Sequence, residues 1–264
     1  MRLRQILILV SALFANSVLA DVRIYTIEEP PFNFVDEQGE LTGISVDFIR
    51  EVQRRVGDDS EIELMFWARA YQIAQTESDV ILFTATRAKY REPLFRWLAP
   101  VVRNAWRFYT VDGQYPEVDD LEVLKSAAGI GVLRSGAREA YLKERGFENI
   151  VATKSLKQIN KMLDKNRLPL IFFAEAGLAT TSYQQGIDMA RFSPVYTVYP
   201  PASYILMSKA TSESTFLRWK KAANQIKADG TYQRIANKWI RYLKEYYGIS
   251  AHHQDGALNL WDKD

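Results

Sequence analysis

Residues 79–100 read DVILFTATRAKYREPLFRWLAP, and the fold turns on how they are read. Val80, Ile81, Leu82 and Phe83 form a short apolar run, the pattern of a strand buried on both faces of a parallel sheet. Thr84 and Thr86 follow at period two, and Arg91 comes five residues after Thr86. Open α/β sheets place their ligand crevice beyond the carboxyl ends of the strands. Hydroxyls and backbone N–H groups there can hold one carboxylate oxygen, and a guanidinium can grip both oxygens through its planar fork. The same residues also fit a plain strand end, two turn-formers and a surface arginine. Arg87 lies nearer the strand and competes with Arg91 as the anion anchor.

Outward from this stretch, the composition is that of a soluble globular chain: 264 residues, 47% hydrophobic and 25% charged, enough for one large domain or two lobes. Residues 1–20, MRLRQILILVSALFANSVLA, have a basic start at Arg2 and Arg4, a short apolar core, and small residues Val18 and Ala20 before a cut. That is the pattern of a cleavable secretory signal peptide. Removing Arg2 and Arg4 from the 34 basic residues leaves 32 against 32 acidic ones. No basic footprint for nucleic acid remains. The absence of cysteine excludes disulfides, thiol catalysis and a lipid anchor on Cys. Both histidines, His252 and His253, fall in a polar tail, which excludes a His-based triad or multi-His metal site in the body. No cofactor is expected, and the location expected is the periplasm.

Strand and helix patterns alternate along the chain, which gives an α/β class. A strand over 22–27 is stopped by Pro30-Pro31-Phe32, and a helix over 45–56 carries Phe48, Ile49, Val52 and Val56 on one face. Trp67-Ala68-Arg69-Ala70-Tyr71 opens the next helix, with Trp67 and Arg69 at the junction after a second strand. A further strand over 103–111 leads to a break at 112–116. Gly129 to Leu133 is a small buried strand, followed by Arg134-Ser135-Gly136-Ala137 and a helix, a turn whose free N–H groups attract anions. After Gly248 the sequence reads as a polar, disordered tail.

The order apolar strand, Thr84-x-Thr86, Arg91 and an aromatic segment ending in Pro100 resembles the first lobe of periplasmic solute-binding protein family 3, the amino-acid-binding proteins of ABC importers. Pro31-Phe32-x-Phe34, Gly39, Leu41, Gly43 and Val46-Asp47-Phe48 resemble the opening of that family, and Asp229-Gly230-Thr231-Tyr232 its closing segment. The resemblance implies a two-lobe type II binding protein with two hinge crossings, near 109–113 and 196–202. Lobe 1 would comprise 21–110 and 200–248, lobe 2 would comprise 111–199, and 249–264 would be the tail. It implies a monomer that closes on a small-molecule ligand and delivers it to an inner-membrane ABC permease, and no enzyme activity.

Carried over residue by residue, Thr84, Thr86 and Arg91 match the positions that hold an amino acid's α-carboxylate. The family's Thr in the second-lobe turn is matched by Ala137, and its acid for the α-ammonium by Ala174, with Glu175 one residue off. Either a carboxylate ligand of another kind or an amine held by Glu29 is implied. The full set expected to bind ligand is Glu29, Phe32, Trp67, Arg69, Thr84, Thr86, Arg91, Arg134, Ser135, Gly136, Ala137 and Glu175. Two alternatives on the same scaffold are a cyclohexadienyl dehydratase-like enzyme using Glu29 or Glu175, and a ligand sensor for a membrane receptor.

Overall fold

The computed structural model describes residues 22–260, so the signal-peptide reading of 1–20 lies outside the described residues. The chain opens with β1 (Arg23–Thr26) and the small pair β2 (Phe34–Val35) and β3 (Leu41–Thr42). It continues through α1 (Ile44–Val56), β4 (Ile62–Leu64), α2 (Trp67–Thr76), β5 (Val80–Thr86) and β6 (Phe95–Arg103). A second group follows: β7 (Trp106–Val111), β8 (Ile130–Leu133), α3 (Ala137–Glu144), β9 (Ile150–Thr153), α4 (Leu156–Asp164), β10 (Leu170–Ala174), α5 (Glu175–Gln184) and β11 (Phe192–Val198). The chain then returns with β12 (Ser203–Ser208), α6 (Glu213–Ala228), α7 (Thr231–Tyr247), β13 (His252–Gln254) and β14 (Ala257–Asn259).

These strands make two large sheets, one lobe each. The first has the order β13-β14-β6-β12-β5-β1-β4, the second β11-β7-β10-β8-β9. β5 is central and buried along its whole length. Its residues alternate between two cores, as a pleated strand requires. Ile81 and Phe83 join Ile49, Trp219 and Trp239 from α1, α6 and α7, while Val80, Leu82 and Ala85 face α2 and the apolar interior that runs on into the second lobe. The sheet is mixed rather than parallel: β5 pairs parallel with β1 but antiparallel with β12.

Three expectations are corrected. The strand expected over 103–111 is two strands in different sheets, and the chain leaves the first sheet at Asn104–Ala105 rather than near 109–113. The reason is that the aromatic segment 95–103 is itself a strand. Pro100, which reads as a strand stop, sits opposite Tyr204 beside an irregularity in the β6–β12 register, where a missing N–H is tolerated. The return falls between Val198 and Ser203, through Pro200-Pro201.

The third correction is the tail. β13 and β14 form a hairpin, and β14 adds in parallel to the edge of β6. Its turn is Asp255-Gly256, both at positive φ (50° and 70°), the dipeptide that suits a two-residue hairpin. Leu258 and Leu260 are buried, and the Leu258 N–H donates to Tyr232 Oη at 2.7 Å while that hydroxyl donates to the Val101 carbonyl.

Candidate functional site

Between the two lobes lies a small cavity of about 40 Å³. Four chain segments from the first lobe reach it. The loop after β1 brings Ile27, Glu29 and Phe32, α2 begins at Trp67, β5 ends in Thr84 and Thr86, and the turn after it carries Arg91. The second lobe supplies Trp106, Leu133, Gly136, Ala137, Arg138 and Ala174, the crossings supply Asn104, Pro200 and Pro201, and the start of β12 supplies Ser203.

The Glu29–Phe32 loop is fixed from behind. Gly43, at φ 132°, lets the start of α1 press against it, and the Ser45 N–H donates to the Phe32 carbonyl at 3.0 Å. Asn33, fully buried, donates its amide to the Ile27 carbonyl and accepts from Thr84 Oγ1. Thr84 also reaches Ser45 Oγ at 3.2 Å and stands at φ 63°, a left-handed conformation that a β-branched residue adopts only when its surroundings hold it. Its hydroxyl therefore braces the floor of the site, and Thr86 lines the cavity beside it.

Arg91 is 1% exposed. Its Nη1 donates to the Thr86 carbonyl at 3.1 Å and its Nη2 to the Ser135 carbonyl of the other lobe at 3.5 Å. The guanidinium lies among the rings of Trp67, Tyr71 and Tyr90, 5.0–5.3 Å from their centroids. Among the described residues it has no carboxylate partner, and its Nε has no hydrogen-bond partner. Arg87 is differently placed: it makes a two-pronged pair with Glu92 at 2.6 and 3.1 Å and lies over Trp97 and Tyr204, outside the cavity.

The second buried guanidinium is Arg138, in the first turn of α3. It meets Glu29 across the cleft at 3.5 Å, each side chain about one-tenth exposed. Burial pushes the Glu29 carboxyl up and the Arg138 guanidinium down, and each partly offsets this for the other. Arg138 lies 5.7 Å from the ring centres of Trp106 and Phe173. Further bonds join the lobes: Trp67 Nε1 donates to the Ser135 carbonyl at 2.8 Å, Thr180 Oγ1 to the Pro30 carbonyl at 2.9 Å, and Lys157 pairs with Glu28 at 2.5 Å.

Of the residues singled out from the sequence, Glu29, Phe32, Trp67, Thr84, Thr86, Arg91, Gly136 and Ala137 line the cavity. Ser135 contributes through its carbonyl, while its side chain is exposed. Three lie elsewhere. Arg134 is exposed and donates to the Ala152 carbonyl at 3.2 Å. Glu175 pairs with Arg107 at 2.9 Å. Arg69 lines a neighbouring, more open cavity of about 520 Å³ with Phe66, Lys154 and Leu156. Arg138, Asn104 and Trp106 were not singled out. Arg138 reads as one more charge on a solvated helix. The available signal was its place in the first helical turn, where a cation opposes the helix dipole and so needs another reason to be there.

The family profile of the bacterial extracellular solute-binding proteins, family 3, matches residues 22–242. The chain belongs to this family. The hairpin of β13 and β14 lies beyond the matched span. The amino-acid-binding protein AabA of Dichelobacter nodosus is 22% identical over 241 residues, 85% of this chain and 89% of that one. A solved histidine kinase sensor domain with similarity to periplasmic binding proteins superposes with a TM-score of 0.73 at 17% identity, covering 83% of this chain and 96% of that one. An ancestral arginine-binding protein bound to arginine gives 0.72 at 20% identity, with 83% and 97% covered. These neighbours have the two-lobe fold of periplasmic binding proteins. No helix among the described residues is long and apolar enough to cross a membrane.

Proposed function

We propose that this family member is the periplasmic binding component of an ABC importer, exported through residues 1–20, and that it holds a small carboxylate-bearing, amino-acid-like solute between its lobes. The observation that carries the reading is Arg91: a guanidinium 1% exposed, bordering the inter-lobe cavity, with no acidic partner among the described residues. Burying a charge without a counter-charge is costly, so such a group belongs to an anion that arrives from outside. Thr86 and the free donors of the α3 start complete the cradle. The protein acts as a monomer, and its partner is a membrane permease. The same fold serves the sensor-domain neighbour.

An enzyme reading has less support. A dehydratase needs a positioned acid or base in the cleft. Glu29 is tied to Arg138, and Glu175 is tied to Arg107 away from the cavity.

Ligand titration of wild type, Arg91→Ala, Arg91→Lys and Arg87→Ala against a panel of amino and organic acids tests the assignment. Arg91→Ala is expected to cost roughly 2–5 kcal/mol of binding. Arg91→Lys should recover only part, since an ammonium lacks the fork. Arg87→Ala should bind as wild type does. Loss of binding in Arg87→Ala with Arg91→Ala unaffected would move the anchor to Arg87.

A further inference from the structure

The polar groups around the cavity are unevenly matched. Three buried donors have no hydrogen-bond partner: Arg91 Nε, Arg138 Nε and the Asn104 amide nitrogen. All three residues line the cavity. Glu29 is the one acid among the lining residues, and it already faces Arg138 at 3.5 Å. The side chain at the end of β10, Ala174, adds no acceptor. Counted formally, two arginines against one glutamate give the lining a charge of +1.

Such a lining suits a ligand that brings acceptors and one negative charge. A zwitterion leaves the surplus cation uncompensated and asks for an anionic partner for its own ammonium, and none is unengaged. The cavity, about 40 Å³, favours a ligand of few atoms. Resting on the reading of Arg91 as a carboxylate anchor, we infer that the ligand is a small monoanionic 2-oxo acid, exemplified by pyruvate, with its carboxylate on Arg91 and its remaining oxygen acceptor turned toward Arg138 and Asn104. The aromatic and apolar walls of Trp67, Trp106 and Leu133 enclose the carbon end.

Pyruvate and L-alanine share a carbon skeleton and differ in the group at the second carbon, so the pair isolates the ammonium. Calorimetric titration of the mature protein should show saturable pyruvate binding at least about 30-fold tighter than L-alanine, the lower bound for burying a charge without its partner. Ala174→Asp supplies an acid at the cavity wall and should shift the ratio toward L-alanine by tenfold or more. Arg138→Gln should weaken pyruvate more than acetate, which lacks the second acceptor. Circular dichroism melts of both variants establish that they are folded before they are compared, and the wild-type pair decides the matter even if a variant fails to fold. L-alanine binding as tightly as pyruvate, with Arg91→Ala abolishing both, would overturn this inference and leave the carboxylate anchor standing. If neither compound titrates but a larger acid binds through Arg91, the 2-oxo class is wrong and the anchor is right. If Arg91→Ala is silent toward every acid that binds, both fail.

Discussion

At the scale of single residues, Gly43 shows how the site is positioned without touching it. A Cβ added there would stand 2.1 Å from the Phe32 carbonyl oxygen, and the backbone is at φ 132°. That oxygen is already held by the Ser45 N–H, so it cannot give way. Gly43→Ala is expected to cost about 3 kcal/mol, from conformational strain and overpacking together. Gly39, at φ 87° with open space around it, is the control, and Gly39→Ala should cost about 1 kcal/mol. Urea melts of the two variants check the difference. The sequence showed which arginine offsets suited a carboxylate, yet it left Arg87 and Arg91 in competition. What separates them is the acid at 92, which captures Arg87, and that choice depends on the turn geometry. Arg138 carries only a weak signal in the sequence, its place in a first helical turn, because its partner Glu29 lies 109 residues earlier in the chain.

At the scale of elements, α1 ends in a charge cluster that ties it to the start of α7. Glu51 accepts from Arg54 and Arg55, and Arg55 also pairs with Asp229 at 2.7 Å and reaches Thr231 Oγ1. The two guanidiniums hold the Glu51 carboxyl down at about 2. A carboxylate with a depressed pKa contributes stability above its unfolded value near 4.3 and loses it as pH falls through the folded value. Glu51→Gln should therefore lower stability by about 1 kcal/mol at pH 7, a figure already reduced for solvent screening. The gap to wild type should close between pH 4 and pH 2, as read from thermal melts across that range.

Element boundaries were legible where periodicity was strong. The helix beginning at Trp67 runs to Thr76 as its sequence suggests, and α1 starts one residue before the expected position. β6 was lost because Pro100 and Arg96 interrupt its apolar pattern, and the register irregularity that accommodates the proline belongs to the partner strand's geometry. The terminal hairpin was lost to composition: its residues look polar, although Asp255-Gly256 is a hairpin signal in its own right.

At the scale of the whole molecule, the two-lobe plan was legible because strand and helix patterns alternate throughout, and the Pro200-Pro201 return marks one crossing. How tightly the lobes meet was not, since it depends on pairs such as Trp67 with Ser135 and Glu29 with Arg138. On the proposed reading, closure brings two cations into one small cavity and a bound anion favours it. Small-angle scattering should give a larger radius of gyration for the ligand-free mature protein than for the same protein saturated with a ligand found by titration. An unchanged radius would count against hinge closure about Asn104–Ala105 and the 199–202 return.

The strand order of the larger sheet also dictates an order of assembly. β5 lies between β1 and β12, so its second flank is completed only by residues 203–208, after the whole second lobe has been made. The Val80 N–H waits for Ser208, 128 residues on, and the edge of β6 waits for β14 near the last described residue. The second lobe, by contrast, is drawn from one uninterrupted stretch, 106–198. Contacts so distant in sequence form slowly, whereas the contiguous lobe can condense first. If the chain is exported N-terminus first, as proposed above, its first lobe stays unfinished until the end of the polypeptide has followed.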